Sequence, residues 1–493
     1  MTETSLSSRL IRFSNWNLWF YPVQFIIGFV SSVYVTRVVG SELYGSLSVY
    51  LALTTLLAIF SDLGITGGIT KFAPEYKKEG YDFRPYFFSI VGVRLAFFSV
   101  LAGALYLKPA LFSGGDSLNT KYFPILLITV GLQILADMVA ALNLANLHNK
   151  PIQISQALGS LTLPILVFIF AKRDIGTILW LYAGAGAVRS LVLLVNLDRK
   201  SFTQGRPQHP VNILRRNLHN GLSKILFMVL RYGFDLGFLF LVFAGPRHIQ
   251  MVGFASLANR LLSYALNLSA FPLNQMQETL FAHLFARKDD HALMQKVYNL
   301  LSKYTTVFTV PLLMFFAGYG NPLIKVFYGK EFLPSADFLS ILALTMAGGT
   351  VFGAANKMLI QFEEHKFFNL LSGTLLTLII GLLYYCQLHS LFILAFYGVS
   401  ILRLLYYYAT HAYLVRKWHL HLDSQWIWKT ALCNLTWLLP AFAPSHMNPW
   451  YLLPISFISY LALQKVLRLF DDVDKSYFAQ LALPGRRYWL ALL

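Results

Sequence analysis

The stretch ILFMVLRYGFDLGFLFLVF (225–243) is apolar and long enough to cross a membrane, although Arg231 and Asp235 lie near its middle. A helix crosses a hydrocarbon core about 30 Å thick with roughly 20 predominantly apolar residues. An ionisable side chain at that depth costs about 2.5 kcal/mol or more, so it usually faces a bundle interior or a wet cavity. The stretch therefore predicts a membrane span whose two charged residues face the bundle interior or a wet cavity and serve the function of the protein.

The composition extends this prediction to the whole chain. Of the 493 residues, 56% are hydrophobic and only 13% are charged, whereas ordinary soluble domains contain about 25% charged residues. Apolar runs of similar length recur from one end to the other, and open sheet edges cannot face lipid. We therefore predict an all-α polytopic membrane protein.

The apolar runs and the polar segments between them predict about fourteen transmembrane helices in two six-helix lobes, with two more helices at the carboxy-terminal end. The longest polar segment, SFTQGRPQHPVNILRRN, lies between the sixth and seventh runs. The predicted parts are an N-lobe at 1–200, a cytoplasmic linker at 201–217, a C-lobe at 218–415, and two additional helices with a cytoplasmic tail at 416–493.

The 40 Lys and Arg residues exceed the 22 Asp and Glu residues and give a net charge of +18. Most of the basic residues flank apolar runs on the side of the amino terminus, as expected of loops that face the cytoplasm and anionic lipid. We therefore predict that both termini are cytoplasmic and that the partners are membrane lipids rather than nucleic acid.

No pattern in the sequence indicates catalysis, a metal or another cofactor. Cys386 and Cys433 lie far apart in apolar runs, and there is no GxxxxGK[ST] segment for ATP hydrolysis. The His-containing runs HLFARKDDH (283–291) and WHLHLD (418–423) lie at span ends, which is more typical of solvated faces than of metal sites. The loops on the non-cytoplasmic side are too short for an enzyme domain.

Two segments of the chain resemble each other. VVGSELYGSLSVYLALTTLL (38–57) and FAGPRHIQMVGFASLANRLL (243–262) each contain a glycine, a polar turn, a second glycine and a new span. Chance similarity among Gly-rich membrane segments is the alternative. We favour a parallel six-plus-six repeat, an arrangement that places a transport pathway between two bundles.

Three segments of the chain also resemble a known family. VVGSELYG (38–45), SDLGI (61–65) and VFYGKEFLPSADFLSILAL (326–344) are similar to segments of the polysaccharide flippases in the multidrug/oligosaccharidyl-lipid/polysaccharide exporter superfamily. The resemblance covers at least residues 14–415. It implies twelve core helices around a central cavity, often followed by two more. It also implies translocation of an undecaprenyl-pyrophosphate-linked oligosaccharide from the cytoplasmic to the periplasmic leaflet, as in O-antigen and exopolysaccharide assembly.

Basic residues inside the predicted spans form the candidate substrate site. A lipid pyrophosphate is densely anionic, and the planar guanidinium fork of arginine matches phosphate oxygens. Several arginines in one cavity would therefore lower the cost of drawing such a head group into a low-dielectric region. The predicted residues of this cationic cavity are Arg231, Arg260, Arg403, Arg94 and Arg189.

Three acids within or near spans are candidates for ion coupling or charge pairing, namely Asp235, Asp137 and Asp62. Asp235 follows Arg231 by four residues, so the two share one helix face and can pair. They either neutralise each other, or form a breakable pair in which the arginine binds a phosphate and the aspartate takes a proton or cation. Both interpretations stay open.

Polar side chains inside spans have two possible roles. They can contact the sugars of a substrate, or they can hydrogen-bond between helices, and the second role is the commoner one. The relevant residues are Gln24, Asn143, Asn146, Gln153, Gln156, Asn259, Asn267, Asn274, Gln275 and Asn356.

The sequence thus predicts an inner-membrane flippase for a polyprenyl-pyrophosphate oligosaccharide that works by alternating access, with a polysaccharide polymerase machinery as a candidate partner. A cation-coupled multidrug exporter of the same superfamily is one alternative, although its cavity would need acids to face cationic drugs. An integral-membrane glycan polymerase or ligase is another, although such enzymes need larger external loops.

Overall fold

The computed structural model describes most of the chain as helix. The described ranges are 22–62, 64–66, 84–107, 118–145, 150–170, 174–197, 225–285, 291–362, 364–442 and 448–471, together with isolated positions between them. Within these ranges there is no β-strand. The all-α prediction is therefore confirmed.

Fifteen α-helices are delimited within the described residues. The first six are α1 Pro22–Val39, α2 Ser41–Asp62, α3 Arg84–Leu107, α4 Leu118–Ala145, α5 Lys150–Phe170 and α6 Ile175–Val195. The next five are α7 Ile225–Phe234, α8 Gly237–Val242, α9 Ile249–Phe285, α10 His291–Phe327 and α11 Ser335–Gln361. The last four are α12 His365–Leu388, α13 Phe392–Trp418, α14 Ser424–Leu435 and α15 Leu452–Val466.

Ten of the described helices are long and apolar enough to cross a membrane. The other predicted spans coincide with α9, with the interrupted pair α7 and α8, with α14 and its 3₁₀ continuation Thr436–Phe442, and with α15. The chain is thus a polytopic helical membrane protein.

The described chain forms two compact units. Unit 1 comprises residues 1–256 and 365–399, and unit 2 comprises residues 257–364 and 400–493. The linker predicted at 201–217 lies almost entirely outside the described residues. The division into lobes at 1–200 and 218–415 stays a prediction.

In unit 1, α2 and the beginning of α9 approach each other so closely that only glycine fits at the crossing. A Cβ atom on Gly45 would lie 1.9 Å from the carbonyl oxygen of Ile249, and one on Gly253 would lie 2.8 Å from that of Ser41. Small residues allow this kind of close backbone contact between membrane helices. The two crossing segments belong to the two stretches that resemble each other in sequence.

In unit 2, α10 and α11 pack along each other, and the carboxy-terminal helices pack against α10. A Cβ atom on Gly318 of α10 would lie 1.9 Å from the carbonyl oxygen of Trp437. One residue later, the Tyr319 hydroxyl hydrogen-bonds to Ser456 Oγ at 2.9 Å. The glycine and the tyrosine thus fix the additional helices to α10.

The segment WHLHLD (418–423) joins α13 to α14 in unit 2 and lies along α10. The side-chain amide of Gln295 donates to the carbonyl of His421 at 2.6 Å and accepts from its backbone N–H at 3.0 Å. Asn299 Oδ1 accepts from the backbone N–H of Asp423 at 2.9 Å. The polar residues of α10 therefore satisfy the backbone of this connection, which the sequence did not predict.

Candidate functional site

Four of the predicted charged residues meet inside unit 1. Asp62 ends α2, Arg94 lies on α3, Asp137 on α4 and Arg189 on α6. Their ion-pair distances run in a chain: Arg94 Nη1 to Asp62 Oδ1 3.4 Å, Arg94 Nη2 to Asp137 Oδ2 3.6 Å, and Arg189 Nη2 to Asp137 Oδ1 4.0 Å. We call these four residues the unit 1 charge cluster.

The inner half of the cluster is Arg94 with Asp62, and it is buried. The Arg94 side chain is 2% exposed, and its Nη1 donates a hydrogen bond to the Thr66 hydroxyl at 2.8 Å. That hydroxyl in turn donates to Asp62, which also accepts from the Thr66 backbone N–H at 3.1 Å. A buried charge of this kind is tolerated only when it is paired and hydrogen-bonded.

Thr66 is a residue of this site that the sequence analysis missed. Its hydroxyl bridges the acid and the arginine, so one side chain serves both charges. The available signal was its spacing of four residues after Asp62, which places the two on one side of a helical turn. A threonine at a span end has so many local roles that this spacing alone did not single it out.

The outer half of the cluster is Asp137 with Arg189, and it is open. Each side chain is 33% exposed, and their separation of 4.0 Å is longer than a hydrogen bond. The stem of Arg189 packs against α5, where a Cβ atom on Gly159 would lie 3.4 Å from Arg189 Cβ. Arg189 therefore has a fixed stem and an accessible head.

Arg231 and Asp235 lie where the predicted span at 220–244 is interrupted. Helix α7 ends at Phe234 and α8 begins at Gly237, because Leu236 adopts a left-handed conformation with φ 66°. Both charged side chains are exposed, and the Asp235 backbone N–H still donates to the Arg231 carbonyl at 2.9 Å. The predicted span at 220–244 is therefore interrupted after Asp235, whereas the helical turn from Arg231 to Asp235 is intact. The pairing of the two side chains stays a prediction.

Packing around the break explains its position. A Cβ atom on Gly237 would lie 2.1 Å from the Tyr232 ring, and the Tyr232 hydroxyl donates to the Ala52 carbonyl at 2.7 Å. The ring also meets Phe238 edge-on, with centroids 5.0 Å apart. Gly237 was the visible signal in the sequence, but a glycine inside an apolar run is common in membrane helices.

The two remaining predicted arginines belong to unit 2. Arg260 on α9 and Arg403 on α13 are both half-buried. The convergence of all five arginines on one cavity stays a prediction.

Several of the predicted polar residues hydrogen-bond within the described helices. Gln24 of α1 donates to Gln156 of α5 at 2.9 Å, and Tyr406 of α13 donates to Asn356 of α11 at 2.7 Å. Asn143 donates to the carbonyl of Val139 one turn earlier on α4 at 3.1 Å. The first two bonds join different helices and the third joins successive turns of one helix. All three therefore agree with the commoner role, hydrogen bonding within the helical bundle.

Comparison with known proteins identifies a protein family that this chain matches. Residues 14–276 match a family model described as polysaccharide biosynthesis protein. A search of curated protein sequences finds no significant match to this chain.

Among solved structures, the chain is similar to the lipid II flippase MurJ in an inward closed conformation, with a TM-score of 0.66 at 14% identity over 93% of this chain and 98% of that one. It is also similar to an inward-facing multidrug resistance MATE family transporter of the MOP superfamily, with a TM-score of 0.56 at 14% identity over 80% and 94% of the two chains. A third similar structure is that of the MATE multidrug transporter DinF-BH, with a TM-score of 0.58 at 15% identity over 83% and 95%. At these identities the likeness concerns the fold.

The family model covers more than half of the chain, and the fold is shared over most of its length. The chain therefore belongs to the polysaccharide biosynthesis protein family and has the polytopic fold of the MurJ and MATE transporters of the MOP superfamily.

Proposed function

We propose that this protein is a flippase that moves an undecaprenyl-pyrophosphate-linked oligosaccharide from the cytoplasmic to the periplasmic leaflet of a bacterial inner membrane. The match of residues 14–276 to the polysaccharide biosynthesis family carries the proposal. The fold shared with MurJ supports it, because MurJ is named as a flippase of a lipid, lipid II. The product serves O-antigen or exopolysaccharide assembly, and a polysaccharide polymerase machinery receives it.

The arginines within the helices supply the binding chemistry. A pyrophosphate needs several cationic donors in a region of low dielectric constant, and guanidinium groups bind phosphate oxygens in a bidentate manner. Of the proposed residues, Arg231 is exposed and Arg189 is partly exposed, so both are accessible to a ligand. Arg260 and Arg403 complete the proposed cavity, and the buried Arg94 acts through its neighbours.

Transport follows an alternating-access cycle, in which the lobe at 1–200 moves against the lobe at 218–415. The acyl tail stays in lipid while the charged head and the glycan pass between the lobes. Asp235, Asp137 and Asp62 are the candidates for ion coupling, because an acid at membrane depth can take up a proton or cation. The chain moves its substrate without chemical change, and both termini lie in the cytoplasm.

A vesicle assay tests this function. Purified protein in liposomes is given a fluorescent polyprenyl-pyrophosphate oligosaccharide on one leaflet, and its appearance on the other leaflet is measured with and without a pH gradient. We expect transfer well above that of empty liposomes, and we expect Arg231→Ala to abolish it. Wild-type transfer by the Arg231→Ala protein would remove this residue from the site.

A matched control variant is Arg247→Ala. Arg247 is an exposed arginine of unit 1 in the connection between α8 and α9, where it donates to Ser390 Oγ at 3.1 Å. It carries the same charge as Arg231 and lies outside the predicted spans. Its replacement should leave transfer unchanged, which separates a local requirement from a general need for positive charge.

A second candidate function is cation-coupled export of drugs. The observation that favours it is the similarity of the fold to two multidrug transporters. The excess of arginines over acids among the residues at membrane depth disfavours cationic drugs as the cargo. Resistance of cells that overproduce the protein, combined with no transfer of any lipid-linked glycan, would favour the exporter.

A further inference from the structure

The two arginines of the unit 1 charge cluster have different environments. Arg94 is enclosed: its Nη1 donates to the Thr66 hydroxyl and lies against Asp62, and its Nη2 donates to the Ala58 carbonyl and lies against Asp137. Arg189 is one-third exposed and has Asp137 at 4.0 Å as its ion-pair partner. Within the described residues, the buried Nε of each arginine has no hydrogen-bond partner, so the two differ in the exposure of the side chain, 2% for Arg94 and 33% for Arg189. Arg189 is therefore the arginine that a ligand can reach, and one carboxylate lies beside it.

The position of Asp137 between two arginines makes an exchange feasible. Its Oδ1 faces Arg189 and its Oδ2 faces Arg94, at 4.0 and 3.6 Å. If another anion binds Arg189, the carboxylate keeps Arg94 as a partner. The exchange therefore leaves no isolated charge in the low-dielectric interior, which is the situation that makes breaking a buried ion pair unfavourable.

The shape of the site favours movement of the anions rather than of the arginine. The Arg189 stem lies on Gly159 of α5, and its neighbour Ser190 donates to the carbonyl of Leu132 on α4 at 3.0 Å. These contacts fix α6 against α4 and α5 at the level of the cluster. The stem of Arg189 is thus held in place, while one-third of its side chain is exposed and open to a ligand.

We propose that Asp137 is a positioning residue that holds Arg189 in the substrate-free protein and competes with the phosphate groups of the ligand for it. The inference rests on the proposed function and adds a release mechanism to it. A phosphate displaces the carboxylate on binding, and the carboxylate displaces the phosphate on release. The ligand chemistry is a phosphate group, supplied either by the pyrophosphate of a prenyl lipid or by an ordinary phospholipid head group.

The test measures the binding of geranyl pyrophosphate, a short prenyl pyrophosphate, to the purified full-length protein in neutral detergent. Asp137→Asn removes the competitor, so we expect roughly threefold to tenfold tighter binding. Arg189→Gln should weaken binding by at least the same factor. The combination of Asp137→Asn with Arg189→Gln should show no gain over Arg189→Gln alone, because the gain acts through that arginine.

Asp174→Asn is the matched control. Asp174 caps the same helix, α6, by accepting from the Thr177 backbone N–H at 3.0 Å, and asparagine is an equally good cap. The variant makes the same charge change about 22 Å along the helix from Arg189. We expect it to bind geranyl pyrophosphate like the wild type. Asp137→Glu should bind it more weakly than Asp137→Asn, because it restores a competing carboxylate.

The kinetics of transfer distinguish a positioning role of Asp137 from a merely structural one. In the vesicle assay, Asp137→Asn should lower both the half-saturating substrate concentration and the maximal rate, since a tighter complex releases more slowly. A variant that merely misfolds would lower the rate without lowering the half-saturating concentration. If Asp137→Asn does not fold, an Arg189→Gln protein that binds geranyl pyrophosphate as well as the wild type overturns the inference.

The arms of the experiment distinguish the possible failures. Equal affinities of Asp137→Asn and wild type, or no binding by the wild type, would overturn the inference even if glycan transfer occurs. Transfer that is absent while the Asp137 effect on geranyl pyrophosphate persists would overturn the proposed function and leave the inference standing. The same binding measurement is made with an anionic phospholipid. If Asp137→Asn raises the affinity for the phospholipid more than that for geranyl pyrophosphate, a membrane lipid is the source of the phosphate.

Discussion

Each acid of the unit 1 charge cluster has its own task. Asp62 neutralises an arginine that water does not reach, and the Thr66 hydroxyl donates to Asp62 and accepts from Nη1 of Arg94. Asp137 faces a partly accessible arginine across a longer distance. The buried pair of Asp62 and Arg94 is thus structural, whereas the partly exposed pair of Asp137 and Arg189 can exchange partners. Mutation of the two acids should therefore have different effects.

We predict that Asp62→Asn destabilises the protein. The change leaves the buried guanidinium of Arg94 with less compensation, and breaking a buried ion pair costs about 3–5 kcal/mol. The free energy of unfolding, followed in detergent by the loss of helical circular dichroism, should fall accordingly. A combined Asp62→Asn and Arg94→Leu protein should recover part of the loss, because no uncompensated charge remains.

Asp471→Asn is the control for that prediction. Asp471 pairs with Lys303 at 3.8 Å, but its side chain is 63% exposed, and such pairs contribute about 0–1 kcal/mol. Similar losses for Asp62→Asn and Asp471→Asn would contradict the structural role of the buried pair.

Helices α7 and α8 are separated by the left-handed Leu236. A non-glycine residue in the left-handed region inside a span is costly, and it persists when surrounding contacts determine it. Here Tyr232 is fixed by Ala52 and fills the space next to Gly237. The break places Arg231 and Asp235 in the last turn before the helical backbone is interrupted.

We predict that Gly237→Ala destabilises the break. The added methyl group would overlap the Tyr232 ring, whose hydroxyl bond prevents it from moving away, so we expect a loss of about 1–3 kcal/mol. Gly381→Ala on α12 is the control, since nothing lies within 4 Å of its added Cβ. The melting temperatures of the two variants are compared by thermal unfolding. Equal melting temperatures would argue against the close packing of Gly237 on the Tyr232 ring.

The attachment of the carboxy-terminal helices to α10 gives another prediction. Gly318→Ala would place a methyl group 1.9 Å from the Trp437 carbonyl oxygen and push the 3₁₀ segment away from α10. Cys433 on the adjoining α14 is buried in the native protein, so its labelling by a maleimide should become faster. Cys386 on α12 belongs to unit 1 and should stay unreactive. Unchanged labelling of Cys433 would refute this attachment.

For the whole molecule, the sequence predicted the fold class because membrane insertion depends on a local property, the apolar content of successive runs. It also identified the members of the charge cluster, since ionisable residues in apolar runs stand out. Their pairing was not predictable, because it depends on how α2, α3, α4 and α6 pack. The break at Leu236 was missed for the same reason: the Tyr232 ring that requires it is positioned by another helix.

The orientation in the membrane stays a prediction that a labelling experiment can test. With Cys386→Ser and Cys433→Ser as background, Ser476→Cys places a single thiol in the tail after α15. A membrane-impermeant maleimide should label it only after the cells are opened, because the distribution of Lys and Arg predicts that both termini are cytoplasmic. Labelling of intact cells at full rate would reverse the assignment.

The order of the charged residues along the chain has a consequence for synthesis of the protein. Asp62, Arg94, Asp137 and Arg189 alternate in sign from the amino-terminal side. During co-translational insertion, each arginine therefore leaves the ribosome after an acid that will neutralise it. An arginine near the centre of an isolated helix raises its insertion free energy by about 2.5–3.5 kcal/mol. The growing chain never has to place an arginine of this cluster in the bilayer before a partner exists for it.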